Sequence, residues 1–144
     1  MLNDDELMRY ARQIMLPAFD ISAQEKLKAS RVLVVGMGGI GCPLALYLAA
    51  AGVGDLLLAD FDSIEVSNLQ RQFLYAEADL GRLKAEVAAE KLRVVNPFVR
   101  VEPVTRALDA DTLPSLLARV DLVVDGCDNF TTRDAVNAAC VEAG

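Results

Sequence analysis

Along this chain, short unbroken apolar runs alternate with longer stretches in which apolar residues recur every three or four positions. The short runs read as strands buried on both faces, and the long stretches as helices packed over them. Asp4 caps a first helix of about a dozen residues, with Leu7, Met8, Ala11, Ile14 and Met15 on one face and Pro17 closing it. A second helix, Ser22–Ala29, carries Glu25 at the capping-box position after Ser22. Arg31–Val35 is a strand, followed by a glycine loop and an Ala/Leu helix that runs to Ala51. Gly52 is its C-cap, and Leu44, Tyr47, Leu48 and Ala51 form its core stripe. Asp55–Asp60 is the next strand. Phe61–Leu80 has no sustained period and reads as a long loop with a helical turn near Gln70. Arg82–Val95 is a helix stopped by Asn96-Pro97, and Phe98–Val104 a strand that Pro103 confines to an edge or an end. Asp111–Ala118 is a short helix, Asp121–Asp125 a strand and Thr131–Glu142 a last helix.

Strands alternating with helices predict an α/β fold, Rossmann-like and doubly wound around a mainly parallel sheet. Right-handed crossovers place its first four strands in the order 3-2-1-4. Residues 1–30 read as an N-terminal helical segment and 31–144 as the α/β domain. An open sheet ending at its fourth strand is unusual, so the chain is expected to be the front part of a longer protein.

Composition removes several kinds of chemistry. The chain contains no histidine, so Ser–His–Asp and Cys–His schemes, histidine-held zinc and the commonest neutral-pH base are absent. Three cysteines without C-x-x-C spacing offer no zinc or redox motif and suit a reducing cytoplasm. Cys42 and Cys140 are expected in the core, and Cys127 near the site. A net charge of −7 argues against a nucleic-acid backbone as partner. No basic-then-apolar leader and no uninterrupted apolar span point to a membrane.

The first positive signal is Gly36-x-Gly38-Gly39-x-Gly41, after a strand and opening a helix. In that setting the first glycine permits the turn, the second lets backbone approach phosphate, and the last lets helix pack on strand. Amides at the helix start then face an anion. Asp60, at the end of the second strand, stands where an acidic residue bonds ribose hydroxyls. These features suit an NAD(P)-binding oxidoreductase domain equally well. Beyond them lie Arg71, Lys84 and the segment Asp125–Asn129, all following strand ends that open onto one crevice. A pair of cations facing carboxylates is what a triphosphate losing pyrophosphate requires. Taken singly, Arg71 could be a surface ion-pair partner, and Lys84 could pair with Glu86 or Glu90.

Several motifs occur together in order: Arg9-Tyr-Ala-Arg-Gln13, the glycine loop, Asp60-Phe-Asp, Ser67-Asn-Leu-Gln-Arg-Gln72, Gly81-x-x-Lys84, Asn96-Pro97 and Cys127-Asp-Asn129. In these the chain closely resembles the MoeB/ThiF-type adenylyltransferases, which activate ubiquitin-like sulfur carriers and are related to ubiquitin-activating enzymes. The branch acting on the small subunit of molybdopterin synthase is the nearest in pattern, and the thiamine-pathway branch shares the motifs. The resemblance implies ATP-dependent adenylation of a carrier's C-terminal Gly-Gly carboxylate with release of pyrophosphate. It assigns ATP to the loop Gly36, Gly38, Gly39 and Gly41, to Ser67 and Asn68, and to Asp60 for the ribose. Arg71 and Lys84 would neutralise the departing phosphates, with Asn68 assisting. Asp128 would bind magnesium with Asn129 beside it, and Arg12 would reach the triphosphate of a second subunit in a homodimer. Zinc is expected only in the part of such proteins that lies beyond a stretch of this length. A shortened homologue that binds partners without catalysis is the remaining alternative.

Overall fold

The computed structural model describes residues 1–144 in full. Its helices are α1 (Asp4–Ile14), α2 (Ile21–Ala29), α3 (Gly41–Ala51), α4 (Lys84–Val95), α5 (Leu113–Leu117) and α6 (Phe130–Ala143). Its strands are β1 (Arg31–Val35), β2 (Asp55–Ala59), β3 (Arg100–Val104) and β4 (Leu122–Asp125). All pairings are parallel, and the sheet order is β3-β2-β1-β4, as the strand–helix alternation predicts. Central β1 pairs Val35 with Ala59 on one side and with Asp125 on the other. The carboxyl ends of three strands therefore finish level, at one rim of the sheet.

The two faces of the sheet are separated by the strand period of two. Val32, Val34, Leu56 and Leu58 point into one core layer, with Ala45, Ala49, Val87 and Leu92 of α3 and α4. Leu33, Val35, Leu57 and Ala59 point into the other, with Leu113, Leu116 and Val136 of α5 and α6. Each fully buried Val or Leu contributes about 1.5–3 kcal/mol, so this double burial specifies the strand register. Pro103 lies in β3 opposite Leu58 at the edge of the sheet, where its missing N–H costs no ladder bond.

The N-terminal helices differ from the expectation in two ways. Asn3, not Asp4, caps α1: its side chain accepts from the Glu6 amide, and Glu6 accepts in return from the Asn3 amide at 2.9 Å. Likewise Asp20 rather than Ser22 caps α2, accepting from the Ala23 amide. The buried face of α1 is also not the apolar stripe. Glu6 and Tyr10 point inward, whereas Met8 and Met15 are each 80% exposed. The inward polar groups are all paired, which removes the cost of burying them. Glu6 accepts from Lys28 at 2.7 Å, and Tyr10 accepts from Asn96 Nδ2 at 2.8 Å. Asn96 also donates to the Ala49 carbonyl, while Gln13 and Gln24 both donate to that of Ala51. A small set of amides thus pins α1 and α2 to the end of α3.

In α3 the core stripe is Cys42, Ala45 and Ala49, with Tyr47 outside and exposed. Small residues face the sheet because helix and strand approach closely there. Gly52 caps the helix with φ 91°, as the sequence predicts. The long segment after β2 contains two short 3-10 turns, Val66–Asn68 and Glu77–Asp79, so the helical turn lies just ahead of Gln70. No helix is long and apolar enough to cross a membrane.

Candidate nucleotide site

A crevice of about 650 Å³ opens at the carboxyl rim of the sheet. One wall is the glycine loop between β1 and α3, and the floor is the end of β2. The other walls are the segment after β2, the start of α4 and the start of α6.

Close backbone packing builds the loop. Gly36 turns the chain with φ 82°, a left-handed conformation that glycine adopts without penalty, and it passes within van der Waals range of Cys127. Met37 is the clamp. Its amide donates to Asp60 Oδ2 at 2.7 Å, and its carbonyl accepts from the Tyr75 hydroxyl at 2.8 Å and the Cys42 thiol at 3.3 Å. Tyr75 also lies 3.3 Å from the Lys84 carbonyl, so one buried hydroxyl ties the glycine loop to the start of α4. Burial raises the Cys42 thiol above its ordinary value and the Tyr75 phenol far above its own, and each stays neutral. Cys42 is thus a packing residue despite its place in the first turn of a helix.

Asp60 accepts from two backbone amides, those of Met37 and Asp62, the latter at 2.8 Å. Burial nevertheless raises its pKa above the ordinary 3.8, opposed by those amides and by Lys84. The folded state therefore takes up this proton at higher pH than the unfolded chain does. The group favours folding as pH falls through the raised value, and that contribution is lost as pH rises. The melting temperature of the wild type minus that of Asp60→Asn, which has no titrating group there, is expected to grow more positive from pH 7 toward pH 4. Thermal melts across that range check it, and a flat difference would contradict the burial argument.

Lys84 opens α4 and is almost fully enclosed, its side chain 9% exposed. Its partner is Asp62 at 3.3 Å, not Glu86 or Glu90; Glu90 is held instead by Arg82 at 2.6 Å. Arg71 lies over Gly39, 3.6 Å from where a β-carbon there would stand, and donates to the Ser67 carbonyl at 3.0 Å. Asp128 and Asn129 lie on the opposite wall. Asn129 also caps α6 through the Thr132 amide at 2.8 Å.

Of the residues singled out from sequence, Gly36, Gly38, Gly39, Asp60, Arg71, Lys84, Asp128 and Asn129 line this crevice. Ser67 and Asn68 do not. They form the turn that carries Arg71, with Asn68 Oδ1 accepting from the Glu65 amide. Gly41 is buried behind the loop, and Arg12 is exposed on α1, away from its own chain's crevice. Asp62 and Gln72 also line the crevice; they stand inside the motifs Asp60-Phe-Asp and Ser67-Asn-Leu-Gln-Arg-Gln72 but carry no role assigned from sequence, and sequence reasoning missed Arg106 and Arg133. Arg106 follows the end of β3, so the strand-end rule was signal enough for it. Arg133 offered no signal, because it reaches the crevice from α6, pairing with Asp125 at 3.7 Å.

Fold and crevice together define a doubly wound, Rossmann-type domain with cations gathered around a glycine loop. The chain belongs to the ThiF family, whose pattern matches residues 10–144. It is 50% identical over 142 residues to the molybdopterin-synthase adenylyltransferase of Salmonella typhimurium, covering 99% of this chain and 57% of that protein. It is 46% identical over 140 residues to the sulfur carrier protein ThiS adenylyltransferase of Escherichia coli, covering 97% and 56%. Among solved structures, the E. coli tRNA N6-threonylcarbamoyladenosine dehydratase TcdA in complex with ATP superposes with a TM-score of 0.92. The two are 29% identical over 99% of this chain and 58% of that one. The chain thus spans little more than half the length of these relatives.

Proposed function

We propose that this chain forms the nucleotide-binding part of an enzyme that adenylates a ubiquitin-like sulfur carrier with ATP. The carrier's C-terminal glycine carboxylate is the acceptor, and the small subunit of molybdopterin synthase is the first candidate, ahead of the thiamine-pathway carrier. The observation that carries the reading is the placement of Arg71 and Lys84 beside the glycine loop, in one crevice with Asp60 and Asp128. A hydride-transfer cofactor would employ the loop and Asp60 and leave those cations without a task.

In this mechanism a carboxylate oxygen attacks the α-phosphorus, the bond to the bridging oxygen breaks, and pyrophosphate leaves with the electron pair. No proton has to move, so a chain without histidine is at no disadvantage. Its residues work by positioning and by neutralising charge. Asp60 accepts from the ribose hydroxyls, while Arg71 and Lys84 take the charge that develops on the leaving pyrophosphate. The relatives' activity on sulfur carriers and the ATP bound to TcdA both favour this assignment.

Magnesium fits the donors present. No group of three or more His, Cys, Asp or Glu residues is gathered to form a protein cage, and the single carboxylate of Asp128 on the crevice suits a cation held mainly by phosphate oxygens. Bound there, the ion would supply further charge neutralisation. In a homodimer Arg12 of one copy would complete the triphosphate site of the other, and the cytoplasm is the compartment we assign.

Radiolabelled pyrophosphate–ATP exchange, with the molybdopterin synthase small subunit present, tests the reading, together with titration of ATP and NAD. Carrier-dependent exchange supports it. NAD binding tighter than ATP, with no exchange, would overturn it.

A further inference from the structure

Gln72 is the one buried polar side chain of the crevice whose chemistry remains unspent. It is 4% exposed and lines the crevice, yet its Oε1 is fully buried with no hydrogen-bond partner. Its Nε2 lies along the glycine loop, 3.5 Å from where a β-carbon on Gly38 would stand. Oε1 is an acceptor that a phosphate oxygen cannot satisfy, so its burial costs stability whether or not a ligand is bound. Nε2 is a donor that makes no hydrogen bond and is not shut off as Oε1 is, and a residue carrying such a cost is commonly retained where its other end has a ligand to meet.

Its place along the loop says which part of the ligand that is. Asp60 is tied to Met37, the Gln72 carboxamide lies against Gly38, and Arg71 lies against Gly39. Ribose, α-phosphate and β-phosphate follow one another in the same order along a nucleotide. We propose that Gln72 is the α-phosphate donor of this site: Nε2–H bonds a non-bridging oxygen of the phosphate that the carboxylate attacks. The inference rests on the adenylation reading and adds to it a residue at the reacting centre. A neutral donor suits this position. It can bond the charge that accumulates on the α-phosphate oxygens, yet it does not hold the incoming carboxylate in an ion pair of its own.

The test is nuclear magnetic resonance of the ¹⁵N-labelled protein, titrated with AMP and with ATP. The side-chain NH₂ pair of Gln72 is identified by its absence from Gln72→Leu, or from the nearly isosteric Gln72→Glu should the leucine variant fold poorly. The pair is expected to shift with both nucleotides, together with the Gly38 amide. Gln72→Leu is further expected to weaken AMP binding about tenfold or more. Its melting temperature without ligand should rise by about 3 °C, because an unpaired polar group is exchanged for an apolar one. Movement of Gly38 and Gly39 with an unmoved Gln72 pair and unchanged AMP affinity would overturn the inference while leaving the nucleotide site intact. A Gln72 shift with ATP but none with AMP would overturn the α-phosphate assignment. If no resonance of the crevice moves with ATP, the nucleotide reading and this inference fall together.

Discussion

Lys84→Ala is expected to lower the rate of carrier-dependent pyrophosphate exchange by about a hundred- to a thousandfold at saturating ATP. That is the size of effect seen when one preorganised charge-stabilising group is removed from an enclosed site. The expectation rests on enclosure more than on charge. The Lys84 side chain is 9% exposed, whereas Arg71 lies on the open side of the crevice, and a charge interaction strengthens as water is excluded around it. Losing Lys84 also withdraws a cation that lowers the Asp60 pKa. The fold is expected to survive, because the Asp62 side chain left behind is 59% exposed and water can hydrate it. Lys84→Arg is not expected to rescue the rate, since the larger guanidinium has no room at an enclosed position. Exchange rates and circular dichroism of both variants check this. An alanine variant within about threefold of the wild-type rate would remove Lys84 from any neutralising role.

The parts of this molecule that were legible in its sequence share a physical cause. Strands β1 and β2 are buried on both faces and read as unbroken apolar runs, so their positions and the sheet order followed directly. The glycine loop was legible because its backbone demands leave almost no choice of residue at Gly36 and Gly41. Failures came where apolar periodicity is the wrong signal. On α1 the inward face is Glu6 and Tyr10, stabilised by Lys28, Asn3 and Asn96, partners as far as 86 positions away. A hydropathy pattern counts such residues as outside. On α3 the close approach to the sheet selects Cys42, Ala45 and Ala49 over the bulkier stripe, turning Tyr47 outward. In the site, the strand ends that place Asp60 and Asp128 were legible, and the same rule would have reached Arg106, whereas Arg133 and the buried carboxamide of Gln72 depend on how α6 and the segment after β2 fold back. That information lies in the packing, not in a local spacing.

Two glycines of one loop should separate folding from nucleotide binding. A β-carbon on Gly41 would stand 1.7 Å from the Gly36 carbonyl oxygen and 2.8 Å from its carbonyl carbon. Both are backbone atoms of a residue already turned at φ 82° and packed against Cys127, so neither partner can yield. Alanine gains about 1 kcal/mol of helix propensity over glycine, but overpacking of a tight contact typically costs 1–3 kcal/mol, sometimes more, and here the obstruction is main chain. The clash wins. Gly41→Ala is therefore expected to lower the melting temperature by about 5 °C or more and to abolish ATP binding, because the loop can relieve the clash only by opening. Gly39 is the contrast. Its added carbon would meet only the flexible Arg71 side chain, at an ordinary 3.6 Å. Gly39→Ala should keep the wild-type melting temperature while weakening ATP, since a methyl now occupies the crevice wall where the glycine backbone would meet the phosphates. Scanning calorimetry and ATP titration of the pair decide the matter. Equal thermal losses in both variants would mean that the loop acts as a single packing unit, and the division of its glycines into one that packs and one that meets the ligand would be wrong.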